Sequence, residues 1–318
     1  MAEWLYEAGI GEARAALVED GAIVAARIEL SELRAGTVAE AQLTEIVTPG
    51  AIGRVTLDDD TLGLLQPLPR SLTQGARTRV RVVREAIAER GAMRPPRVML
   101  AADDALGDGP DLLARITASG MPVRPCLPHQ GDALEAAGWS EVLEEARSGE
   151  IGFDGGALRM SVTPAMTLFD VDGPAPLEAL AVAAAGAVAR AIVRMEISGS
   201  IGIDFPTLSG KAARAAVAEA IDAALPLPFE RTAMNGFGFL QIVRRRERAS
   251  LPELIAGDPV GAAARAALRA IERVPPPHVR PHIVSQAVAR RIAARPDWLD
   301  ELARRMGGVP MIQPEQER

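Results

Sequence analysis

The sequence has one cysteine, Cys126, and three histidines, His129, His278 and His282. A single thiol forms no internal disulfide and no Cys-rich zinc or iron–sulfur centre, and three imidazoles leave little material for His-based metal or triad chemistry. Aromatic residues number ten in 318, and none falls between Tyr6 and Trp139. Lysine is reduced to Lys211 against thirty-four arginines, a skew spread along the whole chain that reads first as coding bias. The longest apolar run, Ala179–Ala189, is mostly alanine and lies between Glu178 and Arg190, too short and too weakly apolar to span a bilayer. Met1–Leu5 carries Glu3, and no apolar h-region follows, so the expectation is a cytoplasmic protein with no secretory leader and no membrane partner. A net charge of −7 argues against a dedicated polyanion binder unless its positive charge is clustered. By elimination, a divalent metal site in this chain is built from carboxylates and suits a hard ion such as Mg²⁺.

The chain is otherwise rich in regular patterning. Ala13–Val18 and Ala22–Leu30 flank Asp20-Gly21, a hairpin signal. From about Leu43 to Val83 short strands alternate with turns: Thr48-Pro49-Gly50, a strand Ile52–Leu57, the turn Asp58–Asp60, and a strand Thr61–Leu65. Arg77, Arg79 and Arg81 then alternate with Val80 and Val82, and the whole stretch suits a small barrel of the OB type. After Arg97 the pattern turns to strand–helix–strand, with strands at Val98–Ala102 and Met121–Cys126. Ser140 is a candidate cap for a helix at Ser140–Arg147. An α/β block follows: strands Ala157–Val162 and Met166–Val171, helix Leu177–Met195, strand Ser200–Asp204, helix Lys211–Leu225 and strand Phe239–Arg244. Three helices make the tail, around Pro259–Arg273, Val284–Ala294 and Asp297–Met306. Pro275-Pro276-Pro277 breaks it, and Asp297 and Gly307 are read as caps of the last helix.

One constellation carries chemistry. Asp170 and Asp172 end one apolar strand and Asp204 ends another, with a long helix between. If those strands run parallel, the acidic residues emerge together at the carboxyl edge of the sheet, where open α/β sheets place ligands. Period two puts Asp170 and Asp172 on one face, within reach of a common ion. By spacing alone the same residues read first as caps of the following helices, with Gly173-Pro174 and Pro206 nearby, and second as metal ligands. Other signals are weaker. Ser209-Gly210-Lys211 lacks the first glycine of a phosphate-binding loop, and Gly9-Ile10-Gly11 precedes a hairpin rather than a helix. The Arg244–Arg248 run and the Arg77, Arg79, Arg81 stripe read either as solvated faces or as contacts to a phosphate backbone. His278 and His282 read as loop residues and Cys126 as a small buried filler.

Gly155-Gly156 leading into Ala157–Asp172, with Leu177-Glu178-Ala179, Gly199–Phe205, Phe237-Gly238-Phe239-Leu240, Arg244 and Arg246, resembles the catalytic signature of the ribonuclease E/G family. Pro49–Val83 resembles that family's OB-type RNA-binding insert, Glu85–Leu100 with Glu89-Arg90-Gly91 the segment leaving it, and Ile283–Ile312 its small C-terminal domain.

The resemblance implies an α/β protein of several subdomains. A ribonuclease H-like piece (residues 1–35 and 97–150) is interrupted by the insert (36–96). A DNase I-like α/β catalytic domain (151–255) follows, then a linker helix and small C-terminal domain (256–318). It implies Mg²⁺-dependent endonucleolytic cleavage of single-stranded RNA to 5′-phosphate and 3′-hydroxyl ends, in RNA processing or decay. Asp170 and Asp204 are the implied metal ligands, Asp172 assists, and Mn²⁺ is an alternative ion. Arg244, Arg246, Arg77, Arg79 and Arg81 are the implied RNA contacts.

The family's 5′-phosphate-sensing domain is not recognisable, and its two-cysteine zinc linker cannot form, so no zinc is expected and a homodimer would assemble by another route. The insert has no aromatic residue, Gly236 stands where the family has arginine, Pro164 where it has glutamate, and the glycine-rich loop after the first metal strand is lost. These departures define a second expectation, a weakly active or inactive relative that binds RNA or protein as a scaffold.

Overall fold

The computed structural model describes residues 1–30, 33–89, 92–275 and 281–315. Arg90-Gly91, Pro276-Pro277 and His278, singled out above, lie outside the described residues. The chain is mixed α/β, with several sheets and a small closed five-stranded barrel of OB-like form. It divides into two compact units. One gathers Met1–Ser31, Leu112–Val142 and Leu254–Arg318; the other gathers Glu32–Asp111 and Leu143–Glu253.

In the first unit, strands Glu3–Ala8, Ala13–Glu19 and Ala22–Glu29 form an antiparallel run. Val123–Pro125 adds to its edge, parallel to Glu3–Ala8. The Asp20-Gly21 hairpin forms as expected, both residues taking positive φ (50° and 84°). Trp4, Ala15 and Ala25 pack with Leu112 and Ile116 of the helix Leu112–Ala118. The tail belongs to this unit rather than standing apart. Its helices Pro259–Glu272, Gln286–Ala293 and Pro296–Met306 bury Leu268, Ile271, Val288, Ile292, Trp298 and Leu302 around Ile10. Two cap expectations fail. Arg295 is the N-cap of the last helix and Pro296 its first residue, so Asp297 sits inside the first turn, paired with Arg295. Ser140 is the second residue of a helix that begins at Trp139. Gly307 does end the last helix, in the left-handed conformation.

In the second unit the barrel runs in the order Arg97–Leu100, Leu62–Leu65, Ile52–Leu57, Val38–Thr48, Arg77–Arg84, and closes because Arg97–Leu100 pairs on both sides. The insert therefore extends past residue 96: the strand expected to open the following α/β piece completes the barrel instead. Its interior is wholly aliphatic (Leu43, Val55, Leu57, Leu65, Val80, Val82, Val98), which is how a barrel fills without aromatics.

The rest of this unit is a six-stranded sheet in the order Glu150–Phe153, Gly156–Val162, Thr167–Asp172, Gly199–Asp204, Phe239–Arg244, Glu230–Arg231. Glu150, assigned above to the preceding piece, opens the edge strand of this sheet, and residues 151–153 complete it. Only the Asp170 and Asp204 strands run parallel; their neighbours are antiparallel. The helix Leu177–Arg194 makes the crossover between them, burying Leu180, Ala181, Ala184, Ala185, Val188 and Ile192. Phe169, Val171, Ile201 and Ile203 are buried, while Leu168, Asp170, Asp172 and Asp204 alternate with them on the other, more open face.

Candidate functional site

The parallel pairing expected from the connecting helix is present, and its register is the central fact of the site. Thr167 aligns with Ile201, Phe169 with Ile203, and Asp170 with Asp204. Neighbouring strands lie about 4.8 Å apart, so two register-matched side chains on one face stand side by side. Both aspartates are exposed, and among the described residues neither has an ion-pair or hydrogen-bond partner. Like charges directly opposite one another in a sheet cost stability, and among the described residues no side chain forms an ion pair with either of these two.

The cap reading is overturned. The N-cap of helix Leu177–Arg194 is Pro176, and that of helix Lys211–Ala224 is Gly210, neither with a side-chain cap bond. Several residues of loop separate each aspartate from the helix it was expected to cap.

Counting across the sheet, one row reads Glu150, Arg159, Asp170, Asp204, Phe239. Arg159 stands opposite Asp170, yet its Nε lies 3.2 Å from a carboxylate oxygen of Asp172 and 3.6 Å from Glu150. Asp172 is thereby engaged by an arginine while the other two aspartates are left open. Arg159 was missed in the sequence, although a signal for it exists. The turn Thr163–Met166, in which the Thr163 hydroxyl donates to the Met166 carbonyl at 2.7 Å, fixes the hairpin register, and counting back from it places Arg159 against Asp170.

The floor beside the pair is apolar. A Cβ on Gly202 would come within 2.7 Å of the Phe239 ring and 2.8 Å of Leu168, so those two side chains close over the glycine and would have to shift for any larger residue. The neighbouring loop is fixed by its own polar groups. The Asn235 side-chain oxygen accepts from the N–H of Phe237 (2.9 Å) and of Phe239 (3.1 Å). Gly238 (φ +101°) lies so close to the Phe205 carbonyl that a Cβ would reach 2.1 Å from its oxygen, and the Phe205 N–H donates back to the Gly238 carbonyl at 3.1 Å. Phe237, at the tip, is 85% exposed.

The arginines expected to contact RNA are not gathered around the aspartates. Arg244 pairs in register with Gly199, five residues along the strand from the Phe239–Asp204 pairing, about 17 Å at strand rise. Arg246 lies beyond the end of that strand and is ion-paired with Glu253, whose other oxygen accepts from the Ser250 N–H and hydroxyl, both at 2.8 Å. In the barrel, Val80 and Val82 point inward and the arginines outward, each facing a carboxylate of the chain: Arg77 to Asp58 (3.8 Å), Arg79 to Glu40 (2.9 Å) and Arg81 to Asp104 (2.6 Å).

Oxygen donors, two unpartnered carboxylates in register and open access fit a hard divalent cation, which takes one or two protein carboxylates and fills its remaining positions with water and substrate oxygens. Among the described residues no group of three or more His, Cys, Asp or Glu side chains is arranged to hold a metal on its own. Cys126 is buried, which pushes its thiol up and keeps it protonated at neutral pH, as suits a packing residue. No helix of the described residues is long and apolar enough to cross a membrane. No family model and no curated protein matches the chain.

Proposed function

We propose that this chain is an Mg²⁺-dependent endoribonuclease acting on single-stranded RNA and leaving 5′-phosphate and 3′-hydroxyl ends. In this reading it is a compact relative of the ribonuclease E/G family, with a ribonuclease H-like piece, an OB-type insert and a DNase I-like catalytic sheet. The reading rests on the motif resemblance, and one observation carries it: Asp170 and Asp204 are held in register, exposed and without a partner. A sheet gains nothing in stability from two adjacent unpaired carboxylates, so a role in binding accounts for an arrangement that folding disfavours.

Asp170 and Asp204 would hold the ion, which when bound polarises a phosphoryl oxygen, stabilises developing oxyanion charge and lowers the pKa of bound water. Arg159 pairs with Asp172 and leaves Asp170 and Asp204 clear, and its guanidinium would donate to a phosphate bound at the same row. Asp172 then assists from its ion pair with Arg159 rather than as a free base. Phe239 and Leu168 lie over Gly202 beside the pair.

A second reading, a scaffold that binds RNA or protein without cutting, is favoured by the arginines. Those of the barrel face internal carboxylates and Arg246 braces Glu253, so positive charge available to a phosphate backbone is scarce.

The test is cleavage of end-labelled single-stranded RNA in Mg²⁺, with EDTA and with Asp170→Asn and Asp204→Asn. We expect cleavage by the wild type, none in EDTA, and a drop of more than about 100-fold in each variant, since the ion supplies several kcal/mol of transition-state stabilisation. Equal cleavage by all three proteins, or none by the wild type, rules the nuclease reading out.

A further inference from the structure

Nine of the ten aromatic side chains are buried or half-buried; Phe237 alone is exposed, at 85%. Its backbone is fixed from both sides. Asn235 accepts its N–H at 2.9 Å, the Thr207 hydroxyl donates to its carbonyl at 3.3 Å, and Gly238 beside it is pinned against Phe205. The ring therefore stands on a rigid tip, two residues from the Phe239 that pairs with Asp204.

The charges around it set what such a ring can attract. Asp170, Asp172 and Asp204 carry three negative charges against Arg159, so a polyanion gains little here from electrostatics beyond a bound cation. Stacking on an aromatic face needs no charge and tolerates any base. The barrel supplies no aromatic for this purpose, inside or out.

We propose that Phe237 is the stacking platform for one unpaired nucleobase beside the Asp170–Asp204 pair, and that it selects single strands over duplex at this edge. The inference rests on the nuclease reading of the same site. A base within a duplex already has its neighbours on both faces and must be unstacked before it can lie on Phe237; a single strand meets the ring without that cost.

The experiment uses the full chain with Ca²⁺ replacing Mg²⁺ to hold turnover, a fluorescent oligouridylate, and the same oligonucleotide annealed to its complement. The variants are Phe237→Ala, Phe237→Leu and Phe237→Trp. Trp4, Trp139 and Trp298 are buried, so the tryptophan of Phe237→Trp is the exposed fluorophore.

We expect Phe237→Ala and Phe237→Leu to weaken single-strand binding by about 5- to 150-fold and Phe237→Trp to restore it. We expect the new emission to be quenched by the single strand and not by the duplex, and an abasic residue at the stacking position to cost the wild type as much as Phe237→Ala does. Binding by Phe237→Leu equal to wild type, or unquenched emission at saturating oligonucleotide, overturns the inference. So does a Phe237→Ala that binds RNA normally but loses self-association, which would assign the ring to a protein contact. Metal-dependent cleavage that Asp170→Asn abolishes and Phe237→Ala leaves intact sinks the stacking inference alone. Phe237-dependent binding without cleavage sinks the nuclease reading alone, and no binding by any version overturns both.

Discussion

Two sets of carboxylates in this chain are treated in opposite ways. In the first unit Glu7, Glu12 and Asp132 are taken from water, and each meets two arginines. Glu7 and Asp132 share Arg14 and Arg273, and Glu12 receives Arg265 at 3.0 Å and Arg269 at 2.7 Å. Arg14 is 1% exposed and stacks over the Trp139 ring, 5.1 Å from its centre. In the second unit Asp170 and Asp204 stay in water, adjacent and unpaired, with the nearest arginine turned to Asp172. A charge that serves the fold is buried with its counterion; a charge that serves a ligand is left without one. The contrast explains why the second pair stands out although it is neither buried nor surrounded by a deep cavity.

Breaking the paired set should have the largest effect. Arg14→Ala leaves Glu7 buried with half its partners and removes the cation above Trp139, so we expect a loss of about 3–5 kcal/mol, measured by urea unfolding. A loss under about 1 kcal/mol would mean that the network contributes little to the fold. Asp132→Asn is milder. The asparagine can still cap the short helix Ala133–Ala136, whose Glu135 N–H donates to Asp132 at 3.0 Å, but the charge shared by Arg14 and Arg273 is gone. We expect about 1.5–3 kcal/mol at neutral pH, the range for hydrogen bonds to charged groups.

That second variant also has a pH signature. Burial raises the Asp132 pKa, but the Glu135 N–H and the two guanidinium groups outweigh burial and hold the carboxyl below its ordinary range. A lowered folded pKa means that the stabilisation is present above the unfolded value of about 3.9 and is lost as pH falls through the folded one. The gap between wild type and Asp132→Asn should therefore be constant from pH 7 to 5 and shrink below pH 4 in thermal melts. A gap that stays constant to pH 2.5 would show that the carboxylate's charge is not what stabilises.

Much of the second unit was legible in the sequence because its strands are apolar runs bounded by turn residues. The Asp170 and Asp204 strands, their connecting helix and three of the five barrel strands follow from periodicity, and parallel pairing follows from the length of the crossover. What stayed hidden is partnership across the fold. Arg97–Leu100 reads as any short apolar strand, and only the closed barrel shows that it belongs there. Arg246 reads as a phosphate contact because nothing local announces Glu253 as its partner. Glu12 and Arg265 are 253 residues apart, and no spacing rule joins them. In the sequence Phe237 is only part of a Phe-Gly motif; its exposure follows from the Asn235 and Gly238 geometry that turns the chain there.

The smallest effect bears most directly on the open pair. If Asp170 and Asp204 repel one another across the sheet with no ion pair to either among the described residues, removing one charge relieves the repulsion without opening a cavity, because asparagine has nearly the volume of aspartate. Asp204→Asn should therefore stabilise the protein in EDTA by about 0.2–1 kcal/mol, opposite in sign to Asp132→Asn, although both exchange an aspartate for its amide. Adding Mg²⁺ should reverse the order. An ion that binds the folded pair raises the stability of the wild type with its concentration, while the variant, lacking one ligand, responds weakly. Thermal melts of both proteins across a Mg²⁺ series read the two effects together. A wild type indifferent to Mg²⁺, or an Asp204→Asn that is destabilised in EDTA, would show that Asp204 is held by the fold in the way Asp132 is, and would remove the distinction between the two sets of carboxylates.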